Sequence, residues 1–484
     1  MKLTLSTKLL FTAKVIIWLI FCIYCMLITI DTDKIDIVIL LIICVPLIQL
    51  TLIQFLDNWH KYQQPFLLDW FRLASFLSLV LNFLILIPYF EGQKVVLVHN
   101  VVYVSTEYIL PALLVILIGL LGLQIGQVLL QRNALLRRSE RIQNFVIEFR
   151  NLKLFYLVSA VFIVIELFLI LRGDIGYGST MEQKASSLSF IVQALQIAVP
   201  FFLVTLSIVK YKFNISDFRF NCFFYTLLSL QILIGFFSGM KEEIITPIVL
   251  ISIPYILSGR LIRKELFSIC IIFIVLLYPI NNQYRFVQNN QPEMAKSDAF
   301  KLAMLQIIED GLSESLETGA DSYQGRISLF PIFLYSIQEE PNWKQYKYFD
   351  RYAYIPFAWI VPRFFLPSKP TADTGKKFYY MTTGNKSTSI TPSTFGWAFF
   401  EGGYAPVFIA FFIFGMFVML VEVFFRPYTF LGLIIYSTVL ISMLKVEADI
   451  YFRISGILQT ILIGLIYVNI FFKIQKIYFI QHEM

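Results

Sequence analysis

The chain has 484 residues, 58% of them hydrophobic and only 15% charged, with a mean hydropathy of +0.73. Soluble domains carry about 25% charged residues, so this composition excludes a water-soluble globular protein and leaves an integral membrane protein. The formal net charge is +7, but Lys and Arg sit in short loops between apolar runs, which sets membrane orientation and argues against a nucleic-acid surface.

A hydrocarbon core about 30 Å thick needs roughly 20 apolar residues in helix, and about twelve stretches meet or approach that rule. They lie near 9–30, 35–56, 70–90, 107–130, 152–171, 187–209, 219–238, 243–258, 264–280, 400–425, 428–445 and 454–473. The predicted fold is therefore an all-α polytopic membrane protein. Residues 1–280 form transmembrane helices 1–9, residues 281–395 a long extracytoplasmic loop, and residues 396–484 helices 10–12 with a cytoplasmic tail. The first run lacks a small-residue cleavage site and is followed at once by another, so it reads as a retained span. The cysteines all fall in apolar runs; Cys22 and Cys25 have no second pair and no nearby His, so packing explains them. His60, His99 and His482 are too scattered for a metal site, and no metal or cofactor is expected.

Loop charge gives orientation. Lys2, Lys8 and Lys14 precede the first span. Arg132, Arg137, Arg138, Arg141, Arg150 and Lys153 follow the fourth; Lys210, Lys212 and Arg219 follow the sixth; Arg260, Arg263 and Lys264 follow the eighth; Lys473 and Lys476 follow the last. Every clearly basic loop thus falls on one side, which predicts cytoplasmic termini and an outside location for 281–395.

Within that loop Phe300, Met304, Ile308, Leu312 and Leu316 recur every fourth residue, the spacing of an amphipathic helix. The apolar runs 327–337 and 352–366 are too short or too broken by proline to cross, so both read as re-entrant or interfacial.

Outward-facing cations are the main chemical signal: Arg172, Lys241, Arg285, Arg326, Arg363, Lys369, Lys445 and Arg453. Such a set suits a pyrophosphate or another polyanion; pairing with nearby carboxylates or lipid headgroups is the alternative. Ser238-Gly239-Met240-Lys241 permits a tight turn into a helix whose N-terminus favours anions, while Glu242 and Glu243 there can simply complement the helix dipole. Lys445, Glu447, Asp449 and Arg453 crowd one hairpin between apolar runs. Glu401, Glu447 and Asp449 are candidate general bases toward a sugar hydroxyl, with a structural role as the alternative for each. Glu166 is an intramembrane carboxylate, costly and therefore functional or hydrogen-bonded. Tyr323, Tyr354, Tyr379, Tyr380 and Trp397 offer faces for sugar rings.

Three blocks among these residues carry a resemblance to the Wzy-type O-antigen polymerases, closest to the enterobacterial common antigen polymerase branch. Ser238–Lys241 resembles a Gly-Gly-Thr-Arg turn of that branch. Tyr354–Pro370, followed by Ile390–Thr394 and Gly402-Gly403, resembles its proline-rich passage. Lys445–Arg453 resembles an Arg-Glu-x-x-Asp-x-x-x-x-Arg turn. The likeness covers roughly the second half of the chain. Two family arginines are lysines here, Lys241 and Lys445, which keeps charge but loses the bidentate fork. The resemblance implies a metal-independent glycosyltransferase with a GT-C-like helical fold in the bacterial inner membrane. It implies that undecaprenyl-pyrophosphate-linked oligosaccharide repeat units are joined at the periplasmic face, with membrane lipid and a chain-length-regulating co-polymerase as partners and no nucleic acid. On that reading Lys241, Arg285, Arg326, Tyr354, Arg363, Lys445 and Arg453 bind substrate. An O-antigen ligase or a flippase for lipid-linked oligosaccharides are the alternatives.

Overall fold

The computed structural model describes residues 7–31, 35–62, 65–86, 95–97, 102–138, 145–172, 187–215, 217–257, 280–281, 283–288, 290–291, 294, 296–310, 329–343, 351–361, 370, 374–383, 390–425 and 429–476. Eight helices among these are long and apolar enough to cross a membrane. Among the described residues the protein is an all-helical membrane protein but for two short ribbons. The first helix is α1 (Thr7–Asp31). The second span joins α2 (Ile35–Ile48) to α3 (Gln54–Tyr62) through a π-helical turn, and the third joins α4 (Leu67–Ser75) to α5 (Leu81–Leu86) in the same way. Then come α6 (Ile109–Arg138), α7 (Leu152–Leu171), α8 (Ser187–Tyr211), α9 (Phe218–Ser238) and α10 (Lys241–Leu257). The expected ninth span, 264–280, lies outside the described residues. The loop contributes α11 (Lys296–Asp310), α12 (Phe330–Glu339), α13 (Ile355–Ala358) and α14 (Thr374–Thr383). Next are α15 (Ser393–Phe399), α16 (Tyr404–Phe424), α17 (Phe430–Leu444) and α18 (Ile450–Phe471).

Apolar helices gain nothing by hiding from lipid, so close backbone approach through small residues must hold them. Gly122 and Gly126 of α6 form a G-x-x-x-G facing α16. A Cβ on Gly122 would lie 2.5 Å from the Phe408 carbonyl oxygen, and one on Gly415 of α16 2.6 Å from that of Leu123. This pair is the spine of the bundle. Gly235 brings α9 equally close to α10, where a Cβ would lie 2.5 Å from the Glu243 carbonyl.

The described residues after α6 and those of the tail share one end. Strands β3 (Phe145–Phe149) and β4 (Phe472–Lys476) form an antiparallel ribbon with Phe149 opposite Phe472, which ties the loop after α6 to the tail. Arg150 Nε donates to the Phe472 carbonyl at 3.0 Å, and Tyr156 meets Phe223 at 4.4 Å between ring centroids. At the other end, β1 (Val95–Leu97) and β2 (Val102–Val104) pair, and Ser105 N donates to Gln338 Oε1 of α12 at 3.2 Å.

One expectation for the loop needs correction. The amphipathic helix runs over 296–310, and its buried stripe is Ala299, Ala303 and Ile307, while Ile308 is 72% exposed. Small alanines let the helix lie close to the end of α9, where Phe300 packs edge-on against Phe236 and Phe237; the larger Leu305 and Ile308 are left facing out. Leu312 and Leu316 lie outside the described residues. The run at 327–337 appears as α12, with Phe330 and Ile332 to Ile337 all buried.

Helix α17 has 15 residues, rising about 22 Å at 1.5 Å each, well short of a hydrocarbon core about 30 Å thick. The α17–α18 turn is consequently recessed. Segment α15 dips in to meet it: Phe395 stacks on Phe411 at 4.4 Å, seven residues or about 10 Å down α16.

Candidate functional site

The recessed turn, residues 445–449, is built from below by α17 and α18 and clasped from above by α15. Thr394 N donates to the Val446 carbonyl at 2.7 Å. Its hydroxyl lies 2.8 Å from the same oxygen and 2.7 Å from that of Ala448. Thr391 Oγ1 donates to the Glu447 carbonyl at 3.0 Å. Ser393 between them takes a positive φ of 72°, a strained state that such surrounding bonds must over-determine.

A buried ionic group fixes the other side. Arg351 Nε donates to Glu401 Oε1 at 2.7 Å, and its Nη1 lies 2.5 Å from Asp449 Oδ2. None of the three side chains is more than 1% exposed. Arg351 Nη2 donates to the Trp397 carbonyl at 3.2 Å, and the guanidinium sits 5.2 Å from the Trp397 ring. Asp449 does double duty, because its Oδ1 caps α18 by accepting from Tyr451 N at 3.2 Å. Burial opposes the Arg351 charge, but the carboxylates of Asp449 and Glu401 more than offset it and hold the guanidinium above its ordinary value. Burial, then the Asp449 carboxylate, push the Tyr352 hydroxyl well above its usual range, so it stays neutral.

Arg453 is the second buried cation. It donates to the carbonyls of Ser442 and Lys445, to that of Ala448 at 3.3 Å, and to Thr394 Oγ1 at 3.2 Å. Its guanidinium lies 5.1 Å from the Phe71 ring and 5.7 Å from that of Phe414, the latter about 15 Å down α16. Two arginines and two carboxylates therefore sum to zero, the condition under which buried charge is tolerable.

The sequence-predicted residues fall into three sets. Glu401, Asp449 and Arg453 come together inside, each committed to a protein partner; their observed task is to shape the turn. Lys445, Glu447 and Arg285 stand nearer the surface. Lys445 pairs with Glu242 in the first turn of α10, both about half exposed, which sets the two turns side by side and gives Glu242 an ionic partner in addition to the helix dipole. Glu447 is exposed at the tip. Lys241 opens α10 after Gly239, whose φ of 70° makes the expected tight turn. Half-buried Arg285 is held near that turn because Tyr284 donates to the Phe237 carbonyl at 3.2 Å. Tyr354 is half-buried in the 3-10 turn Tyr352–Tyr354. The third set, Arg326 and Arg363 with Lys369 and Tyr323, lies outside the described residues.

Of the expected aromatic wall, Trp397 and Tyr379 are buried, whereas Tyr380 is 49% exposed. Trp397 packs with Trp343, Phe378 and Phe400, where Trp343 stacks on Phe400 at 4.7 Å. These rings support the ionic group. Glu166 accepts from Gln231 Nε2 at 3.0 Å, the hydrogen-bonded alternative for that carboxylate.

Sequence reasoning missed Arg351, Thr394 and Trp343. Two carboxylates at Glu401 and Asp449, each flanked by apolar residues, require a buried cation, and Arg351 in Asp350-Arg351-Tyr352 was available to supply it.

A family described as a domain of unknown function, DUF8712, matches residues 125–481. The chain belongs to that family. The matched stretch holds the turn, the ionic group and the whole long loop, and leaves out α1 to α5 and the first half of α6. Neither a curated protein nor a solved structure matches the chain.

Proposed function

We propose that this chain is a polysaccharide polymerase, a metal-independent glycosyltransferase joining undecaprenyl-pyrophosphate-linked oligosaccharide repeat units at the periplasmic face of the bacterial inner membrane. One observation carries the reading. The segments that bear the resemblance to Wzy-type polymerases, 238–241, 354–361, 390–403 and 445–453, are far apart in sequence, yet all gather around the recessed α17–α18 turn. On this reading α8, α10, α17 and 264–280 complete about twelve spans in a GT-C-like arrangement, with both termini cytoplasmic and 281–395 outside.

The chemistry asks little of the protein. A pyrophosphate is already a leaving group, so the site need only balance its charge and orient the acceptor hydroxyl. Lys445 and Arg285 supply charge near the mouth, and the N-terminus of α10 at Lys241 adds backbone donors. The buried ionic group keeps the turn rigid, as a positioning shell must. Glu447, the exposed carboxylate of the turn, is the general-base candidate with access to an acceptor.

Glycan profiling of a deletion strain tests this. A single-repeat product supports polymerisation, unattached polymer points to a ligase, and loss of all periplasmic lipid-linked units points to a flippase. An unchanged profile removes the proposal.

A further inference from the structure

Helix α9 has 21 residues, a rise of about 31 Å at 1.5 Å each, which matches one hydrocarbon core. Charged residues flank it, Asp217 and Arg219 at its start and Glu242 just past its close, so its last turn, Phe236 to Ser238, lies at the membrane surface. Helix α11 is seated on that turn. Phe300 packs edge-on against Phe236 at 5.1 Å and Phe237 at 5.6 Å. Tyr284, in the neighbouring segment 283–288, donates to the Phe237 carbonyl at 3.2 Å. The depth of α11 is thereby fixed at the boundary between hydrocarbon and headgroups.

Its rotation is fixed as well. Ala299 and Ala303 bury against Tyr284 and Val287, and Gln283 Nε2 donates to Gln306 Oε1 at 2.9 Å, so the helix cannot roll about its axis. Phe300, Met304 and Ile308 share a second face, each four residues after the last. Phe300 rests on the end of α9, Met304 is half-buried, and Ile308 is 72% exposed. One stripe thus starts on top of a transmembrane helix and, about 12 Å further along, overhangs the bilayer around it. Leu305, also exposed, flanks Ile308 three residues away, while Asp298 and Glu309 are exposed on the side turned from the stripe. We propose that α11 is an interfacial helix whose Met304–Ile308 stripe sinks into the leaflet at the C-terminal end of α9, which is the outer leaflet on the topology proposed above. The surface it recognises is lipid, entered to the depth of about 5–10 Å usual for such helices. The anchor stands beside the mouth, because Gly239 follows the seat of α11 and leads into α10, whose Glu242 pairs with Lys445. It is independent of the reaction that the chain performs.

Electron paramagnetic resonance of the spin-labelled full-length protein in nanodiscs of dioleoyl phosphatidylglycerol tests it, with the five native cysteines replaced by alanine. Power saturation is read against oxygen, which partitions into lipid, and a nickel chelate, which stays in water. A label on Ile308→Cys should be reached better by oxygen. One on Glu309→Cys, turned about 100° around the helix, should be reached better by the chelate. A label at 308 more open to the chelate puts the stripe in water and overturns the proposal. A label there shielded from both reagents puts it under protein, a second copy or another partner, and overturns it too. Where the cysteine-free protein fails to fold in a size-exclusion control, benzoylphenylalanine placed at 308 or 309 in the native background answers the same question. Illumination should then yield a phospholipid adduct at 308 and none at 309 by mass spectrometry. Equal lipid adducts at both positions, or adducts to protein alone, refute the insertion.

Discussion

Replacing Arg351 by alanine would leave Glu401 and Asp449 facing each other in a site where both are buried. Removing one partner of a buried ion pair costs about 3–5 kcal/mol, and here one residue serves two carboxylates. The bond to the Trp397 carbonyl adds about 1 kcal/mol. Protonation of one carboxylate relieves part of the cost, so the expected loss is at least about 3 kcal/mol. Denaturant titration of the purified protein in micelles would read it. A companion variant separates charge from packing: Arg351→Met with Glu401→Gln and Asp449→Asn removes all three charges at similar volume. Asn still caps a helix, and buried triads replaced by neutral groups are often no less stable. This triple variant should recover to within about 2 kcal/mol of the native protein. A loss below about 1 kcal/mol for Arg351→Ala, or a triple variant no better than the single one, would refute the claim that this ionic group holds the turn.

The raised value of Arg351 fixes the pH behaviour of the same pair. A group raised on folding contributes fully below its unfolded value, and its contribution is lost only as pH rises through the folded value. The stability gap between the native protein and the neutral triple variant should therefore stay flat between about pH 8 and pH 10; a gap that shrinks across it contradicts the assignment. Lys445→Ala should cost under about 1 kcal/mol, since its partner Glu242 is half exposed, yet abolish long glycan; Lys301→Ala, on an exposed face of α11, should leave the profile unchanged, and loss in both or neither removes Lys445 from the site. Gly403→Ala should destabilise by about 1–3 kcal/mol through its φ of 90° alone, because the space around it is open, and a neutral result by denaturant titration would show that the Gly-Gly turn relaxes. Gly126→Ala should lower the yield of folded protein in size-exclusion profiles by driving a methyl into the α16 backbone at Phe412; an unchanged profile would mean that the spine can part.

Hydropathy made the membrane class and most helices legible, because a long apolar run has few other uses. Loop charge groups the segment after α6 with the tail, and β3 pairing with β4 agrees with that one grouping. Depth was not legible. A hairpin reads the same in sequence whether it lies at the surface or is recessed, and only the shortness of α17 hinted at the second case. Loop charge also points to outward cations such as Arg453 as phosphate ligands, whereas Arg453 holds backbone carbonyls. Gly122 and Gly126 carry no charge and no hydrophobic period, so their role as a contact face emerges only from the close approach of the α16 backbone.

The recess explains why the long loop is built as it is. A turn that stops about 15 Å down α16 leaves carbonyls at 442, 445 and 448 without helix partners in apolar surroundings, each a cost of several kcal/mol if unmet. Arg453 and Thr394 satisfy them, but Arg453 then needs a counter-charge, which Asp449 and Glu401 provide in excess. Arg351 restores neutrality, and it can do so only if the chain at 351 descends to the turn. Segment 351–361 must therefore be re-entrant, and α15 must dip beside it to deliver Thr394. Together these segments cover the polar turn, and Lys445 and Glu447 remain exposed at its mouth. The charges inside serve geometry, and on the proposed reading the exposed charges at the mouth are the ones that meet a substrate.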